Sequence, residues 1–191
     1  MGLKIIGTEK LSYALAGFAL ASFLFLAFLF AFLYFSPAPA LASSGCFLQQ
    51  AVFSPGSEDD IISIFNSAGK TIDVEMYTFS NENIAQALAN AAKKGVRVRI
   101  ILEGRVDPPT QNQNTFDYLV SQGASAKWAS FSYTLTHSKL SIVDGRKILV
   151  GSINFSHNAV NKNREAAALL FCNENNEYEK IFEQDWQKAG G

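Results

Sequence analysis

The 191-residue chain holds only two histidines, two cysteines and two methionines. It has no Cys-x-x-Cys pair and no Cys/His cluster, which excludes the ligand spacings of a structural zinc site. Cys46 and Cys172 permit one disulfide in an oxidising compartment but do not establish it. Charge is missing altogether from Leu11 to Ser57. Residues 47–191 carry 14 Lys/Arg and 16 Asp/Glu, a net charge of −2. That balance excludes binding to nucleic acid through bulk positive charge; a polyanion would have to meet a local positive groove. No internal repeat is visible.

The uncharged stretch contains YALAGFALASFLFLAFLFAFLYF, residues 13–35, in which Ser22 is the only clearly polar side chain between the terminal tyrosines. At about 1.5 Å per residue it reaches roughly 35 Å, enough to cross a bilayer. Tyr13 and Tyr34 bracket it as an interfacial aromatic belt would. The block is longer than the apolar region of a cleavable signal, so an uncleaved signal anchor is the expectation. The alternative is a secreted or periplasmic protein released at the small-residue site Ala40-Leu41-Ala42. A buried core helix with no polar face does not suit so small a domain. Lys4 and Lys10 precede the block and no positive charge follows it before Lys70, which leaves the N-terminus cytoplasmic and the remainder extracytoplasmic. The expected organisation is a short segment 1–12, a single-pass transmembrane anchor 13–35, a Pro/Ala/Ser-rich linker 36–46 and a catalytic domain 47–191.

Within that domain, CFLQQAVFSP reads as a short strand ending at Pro55. Ser57 before Glu58-Asp59-Asp60 predicts a capped helix through about Ser67. Residues 70–79, KTIDVEMYTF, alternate as a strand does. Ser80 or Asn81 caps a helix through Lys94 that Gly95 stops. VRVRIIL is a strand, EGRVDPPTQNQN a loop, 113–122 a helix and 125–129 a short strand. This alternation predicts an α/β fold, a mixed, largely parallel sheet flanked by helices, with a site beyond the carboxyl ends of strands.

HSKLSIVDGRKILVGSINFS, residues 137–156, reads as a hairpin, because Asp144-Gly145 suits a turn with φ > 0 at both centres. A two-residue turn there would set Lys139 opposite Val150 and His137 opposite Ser152. His137 and Lys139 then share one face, with Ser152 and Asn154 beside them. A lone His-x-Lys is ordinarily an edge histidine and a solvated lysine. The coincidence with Ser152, Asn154 and the carboxylate Glu165 changes the weighing. Lys and Asn are donors for phosphate oxygens, and a neutral His oriented by an acid can attack phosphorus or move a proton.

His137-x-Lys139-x4-Asp144, followed by Gly151-Ser152-x-Asn154, resembles the HKD motif of the phospholipase D superfamily. The spacing to Glu165 resembles its small single-motif branch, which includes bacterial membrane-associated or periplasmic endonucleases and the mitochondrial phospholipase D-like protein. VEMYTFSNENIAQALANAAKKGVRVRIILEGR and the closing EKIFEQDWQKA are similar to the family as well, so the resemblance covers about residues 47–189. It implies that His137 forms a phosphohistidine, that Lys139 and Asn154 hold the phosphoryl oxygens, that Ser152 supports them and that Glu165 orients His137. Asp144 and Gly145 sit at the turn, over 20 Å of strand from His137, so Asp144 is expected to be structural, as is Gly151. The resemblance further implies a homodimer with a shared active site, and phosphodiester hydrolysis with no cofactor and no metal.

Three functions are open on this reading. One is a nonspecific endonuclease cutting DNA or RNA, its groove lined by Arg105, Lys127, Arg146, Lys162 or Arg164, each of which taken singly is better read as a solubilising charge. The second is a lipid phosphodiesterase acting on phospholipid of the anchoring membrane. The third is an inactive binding or scaffold module, which would have no need of His137, Lys139, Asn154 and Glu165 together. His157 reads as a surface residue. Asn154-Phe155-Ser156 is formally a glycosylation sequon, rejected because a phosphate-binding Asn154 cannot carry a glycan.

Overall fold

The computed structural model describes residues 8–35, 45–108 and 110–190, and within the first of these the side chains of residues 13 and 17–32. The chain divides into two units, Met1–Ser43 and Ser44–Gly191. The first contains one helix, α1 (Thr8–Phe35), which includes the apolar block 13–35. Among the described residues, no helix is long and apolar enough to cross a membrane; the described side chains of 17–32 make a shorter run than the block in the sequence. Residues 1–7, and 36–44 of the expected linker, lie outside the described residues.

The second unit runs β1 (Phe47–Phe53), α2 (Glu58–Asn66), β2 (Thr71–Met76), α3 (Glu82–Lys93), β3 (Arg97–Leu102), α4 (Thr110–Ser121), β4 (Ser125–Trp128), β5 (Lys139–Val143), β6 (Lys147–Gly151), α5 (His157–Asn161), β7 (Ala166–Phe171) and α6 (Glu177–Lys188). The seven strands form one sheet in the order β1-β7-β6-β5-β2-β3-β4. The expected mixed sheet is there, but it is not largely parallel. Only β2 with β3 and β3 with β4 pair in parallel; the other four pairings are antiparallel. The helical alternation made β1 look like the first strand of a parallel run. It lies instead at the far edge against β7, and only strands joined by helical crossovers to a neighbour run parallel.

Strand alternation gives the sheet two apolar faces. Ile72, Val74, Val98, Ile100 and Leu149 pack under Ile61 and Phe65 of α2, Leu88 of α3 and Leu119 of α4. Ile101, Leu140, Ile142 and Ile148 pack under Phe182 of α6. Arg99 ties α6 down: its Nε is 2.7 Å from Asp73, its Nη1 2.8 Å from Glu183, and its guanidinium lies 5.1 Å from the Phe182 ring centre. Asn81 caps α3 as expected, its side chain accepting from Ile84 N, and Gly95 beyond the helix has φ +88°. Ser57 does not cap α2; its hydroxyl is spent on Ser54. Helix α4 starts at Thr110, inside the stretch expected to be loop.

The hairpin differs from its expected register by one residue. Val143 pairs with Lys147 and Leu140 with Val150, so three residues, not two, lie in the connection. Asp144 and Gly145 do take positive φ, +52° and +67°, and Arg146 N closes the turn on Val143 O at 3.1 Å. Arg146 is the extra residue. Its carbonyl accepts from Cys172 N and its guanidinium rests 4.6 Å from the Phe171 ring centre. At this same end of the sheet Cys46 is disulfide-bonded to Cys172.

Candidate active site

The opposite end of the sheet gathers the carboxyl ends of β2, β3 and β6 with the amino ends of β5 and β7. Gly151 closes β6 there. A Cβ at Gly151 would collide with Ala166 O and with the Cα and Cβ of Ala167, so only glycine lets β6 and β7 approach closely enough to set Ser152 against Glu165. The Ser152 hydroxyl donates to Glu165 Oε2 at 2.5 Å, and Ser152 N donates to Ala166 O.

His137 and Lys139 come from the start of β5. The Lys139 ammonium lies 3.1 Å from His137 Nδ1 and donates to His137 O at 2.7 Å. Lys139 is buried while His137 is exposed. Burial pulls the Lys139 pKa down, and the charge of Glu165 partly opposes it. Tyr77, just past β2, completes this corner: its ring centre is 4.5 Å from that of His137 and 5.0 Å from Lys139 Nζ. Asn154 is half-buried beside them, its Oδ1 accepting from Thr78 N at 3.3 Å. His137, Lys139, Ser152, Asn154 and Glu165 thus meet at one sheet end. Glu165 is joined to Ser152 and, electrostatically, to Lys139; among the described residues it makes no direct hydrogen bond to His137.

Asp144 lies at the far end of β5. Its carboxylate accepts from Gly69 N at 2.8 Å, Lys70 N at 2.7 Å and Thr71 N at 2.9 Å. Burial alone would raise its pKa, and the three backbone donors outweigh that and hold it low. It therefore fastens the hairpin turn to the start of β2 and takes no part in the site.

The basic residues are scattered. Lys127 donates to Trp186 O on α6. Arg164, next to Glu165, donates to Ser54 O on the rim. Lys162 follows α5. Arg105 is held by Glu103, Nε donating to Oε1 at 2.5 Å and Nη2 to Oε2 at 2.7 Å. Sequence reasoning missed Glu103, which is fully buried. Its burial would raise its pKa, but donors from Arg105 and Thr136 hold it low. Tyr77 and Asn112 were missed as well. Asn112 is buried and donates to Tyr77 O and Glu103 O, tying β2 to β3. Tyr77 sits where the alternating run 70–79 ends, which was the signal available for it; Asn112 and Glu103 gave none, because their roles depend on distant backbone. Among the described residues, no three His, Cys, Asp or Glu side chains are grouped as a metal site needs.

Residues 61–186 match the family model described as cardiolipin synthase, PLD-like domain. The chain belongs to the phospholipase D-like family. Among relatives of this phospholipase D-like chain, the mitochondrial cardiolipin hydrolase of Chlamydomonas reinhardtii is 30% identical over 128 residues, covering 66% of this chain and 56% of the relative. A phospholipase D of Rickettsia prowazekii is 28% identical over 145 residues, 75% of this chain and 65% of the relative. The chain spans about half the length of the mitochondrial cardiolipin hydrolases it matches. The crystal structure of the phospholipase D family member Nuc from Salmonella typhimurium superposes with a TM-score of 0.70 at 25% identity, covering 76% of this chain and 97% of Nuc.

Proposed function

We propose that this phospholipase D-like chain hydrolyses phosphodiesters without a metal, through a phosphohistidine on His137, and that its substrate is a nucleic acid strand. The observation that carries the reading is the exposed His137 with the buried Lys139 ammonium 3.1 Å from its ring. The nucleophile faces solvent with the phosphate-binding cation beside it, within reach of an incoming phosphodiester.

In the first step a lone pair of the His137 ring forms a bond to phosphorus and the bond to the leaving oxygen breaks, that oxygen taking a proton from a general acid. Water then attacks phosphorus, the N–P bond breaks and the general acid recovers its proton. The products are a phosphomonoester and an alcohol. Lys139 and Asn154 carry the charge on the non-bridging oxygens. A Lys139 ammonium at Nδ1 occupies the lone pair there and leaves the ring proton on Nε2. A bound phosphate competes for that ammonium, which releases the ring for attack. Glu165, held by Ser152, is placed to balance the charge that develops. The chain's other histidine, His157, belongs to α5 and lies beside Asn161, so the general acid is assigned to His137 of a second copy across a two-fold axis.

A strand is favoured over a lipid because His137 and Ser152 are exposed at an open sheet end. The second reading, a lipid phosphodiesterase, is favoured by the cardiolipin hydrolases among the relatives. The Cys46–Cys172 disulfide supports an oxidising, extracytoplasmic location, with the apolar stretch 13–35 as its membrane anchor.

The test is cleavage of labelled single-stranded DNA, duplex DNA, RNA and phospholipid vesicles in excess EDTA, with His137→Ala as control. The expected result is nucleic acid cleavage that survives EDTA and is lost in the variant. Cleavage of lipid alone would transfer the function to the second reading, and binding without any hydrolysis would make the chain a scaffold.

A further inference from the structure

The segment 129–138, which leads from β4 directly into His137, exposes apolar side chains. Phe131 is 85% exposed, Tyr133 42% and Leu135 37%. An exposed apolar residue by itself is ordinary; here the exposed aromatic is held in place by a dedicated set of contacts. Arg105 donates from Nη1 to Tyr133 O at 2.9 Å and from Nη2 to Ser130 O at 3.3 Å. Glu103 accepts from Thr136 N at 2.7 Å, and Tyr133 Oη donates to Asp185 at 2.9 Å. Phe131 sits at the resulting turn with the Arg105 guanidinium 4.9 Å from its ring centre. Buried Glu103 and half-buried Arg105 thus fix the backbone under an exposed aromatic ring.

Resting on the nucleic acid reading above, we propose that Phe131 is a stacking platform for an unpaired base of the strand whose phosphodiester is cut at His137. Two observations select this occupant. Residues 129–139, ASFSYTLTHSK, contain no acidic side chain, and the two carboxylates that touch the segment, Glu103 and Asp185, are paired with Arg105 and Lys188. The domain as a whole is net negative by two charges, so general electrostatic attraction cannot supply the affinity, and base stacking on an aromatic side chain can. The backbone that carries the ring is fixed before binding, which lowers the ordering cost of the contact. The platform selects single strands, because in a duplex the base faces are already stacked.

The experiment compares full-length wild type with Phe131→Ala and Phe131→Trp on a single-stranded oligonucleotide, on an abasic strand of the same length, and on an intact duplex. In Phe131→Ala, KM on the oligonucleotide rises about 5- to 150-fold, kcat falls less, the penalty shrinks to within about twofold on the abasic strand, and Phe131→Trp restores KM. An equal penalty on normal and abasic strands, or no penalty while wild type cleaves the oligonucleotide, overturns the platform and leaves the nuclease reading standing. If wild type cleaves only phospholipid vesicles, and Phe131→Ala weakens their binding, both are overturned and the loop is a lipid contact.

Discussion

Lys139 Nζ lies 3.1 Å from His137 Nδ1, its charge countered across the site by Glu165. Methionine fills the same volume without the charge, so Lys139→Met is expected to keep the fold and lose phosphate stabilisation. The expected fall in kcat/KM is about 10²–10³-fold, a typical cost of removing one preorganised electrostatic group from a transition state. Steady-state kinetics on any cleaved diester, with a thermal melt to verify folding, measures it.

Gly151 should tolerate no side chain. The Cβ of Gly151→Ala meets the backbone of Ala166 and Ala167, so β6 and β7 must separate. Overpacking of this kind costs about 1–3 kcal/mol, and it also pulls Ser152 from Glu165. Denaturant unfolding and activity should therefore fall together.

Glu75 gives the domain a pH dependence. It is buried on β2, and burial first, then the charge of Asp185, pushes its pKa up to about 7, with a hydrogen bond to Ser138 opposing. A carboxyl whose pKa is higher when folded binds protons on folding. Its contribution is complete below the unfolded value of 4.5 and is lost as pH rises to about 7. The loss is up to about 3 kcal/mol. Glu75→Gln should flatten that slope and be the more stable protein at pH 8, measured by urea unfolding between pH 4 and 8.

The Cys46–Cys172 disulfide joins residues 126 apart in sequence. Its reduction, or Cys172→Ser, should lower stability by about 2–4 kcal/mol. Because the bond lies at the sheet end away from His137, folded reduced protein should retain its activity at low temperature. A melt with and without reductant, followed by an assay, checks both.

Much of this architecture was legible because it is local. The alternation of KTIDVEMYTF and VRVRIIL, the Asn81 cap and the Gly95 stop gave β2, α3 and β3 with only small errors at their ends. The polar set of the site was legible from spacing within one hairpin and the strand after it. What escaped was decided by partners distant in sequence. Nothing near β1 says that it pairs antiparallel with β7 rather than parallel with β2. The hairpin register turned on Arg146, which enters the connection because its carbonyl accepts from Cys172 and its guanidinium has Phe171 to rest on. Arg105 was a candidate groove cation, taken singly better read as a solubilising charge, and its ion pair was not legible because Glu103, two residues away, gave no sign of being buried. Glu165 was expected on His137, and the closeness of β6 to β7 at Gly151 gives it to Ser152 instead.

The central claim is that the His137 ring forms a covalent bond to the phosphorus of the substrate, which keeps its other ester until water releases it. The direct measurement is an alkaline quench of the enzyme during turnover of a phosphodiester in excess EDTA, followed by intact-mass and peptide mass spectrometry. The account predicts an adduct on the peptide containing His137, with the mass of the phosphate plus the substrate fragment still esterified to it, that is absent from His137→Ala. An adduct on any other residue, or turnover by His137→Ala at the wild-type rate, would contradict it.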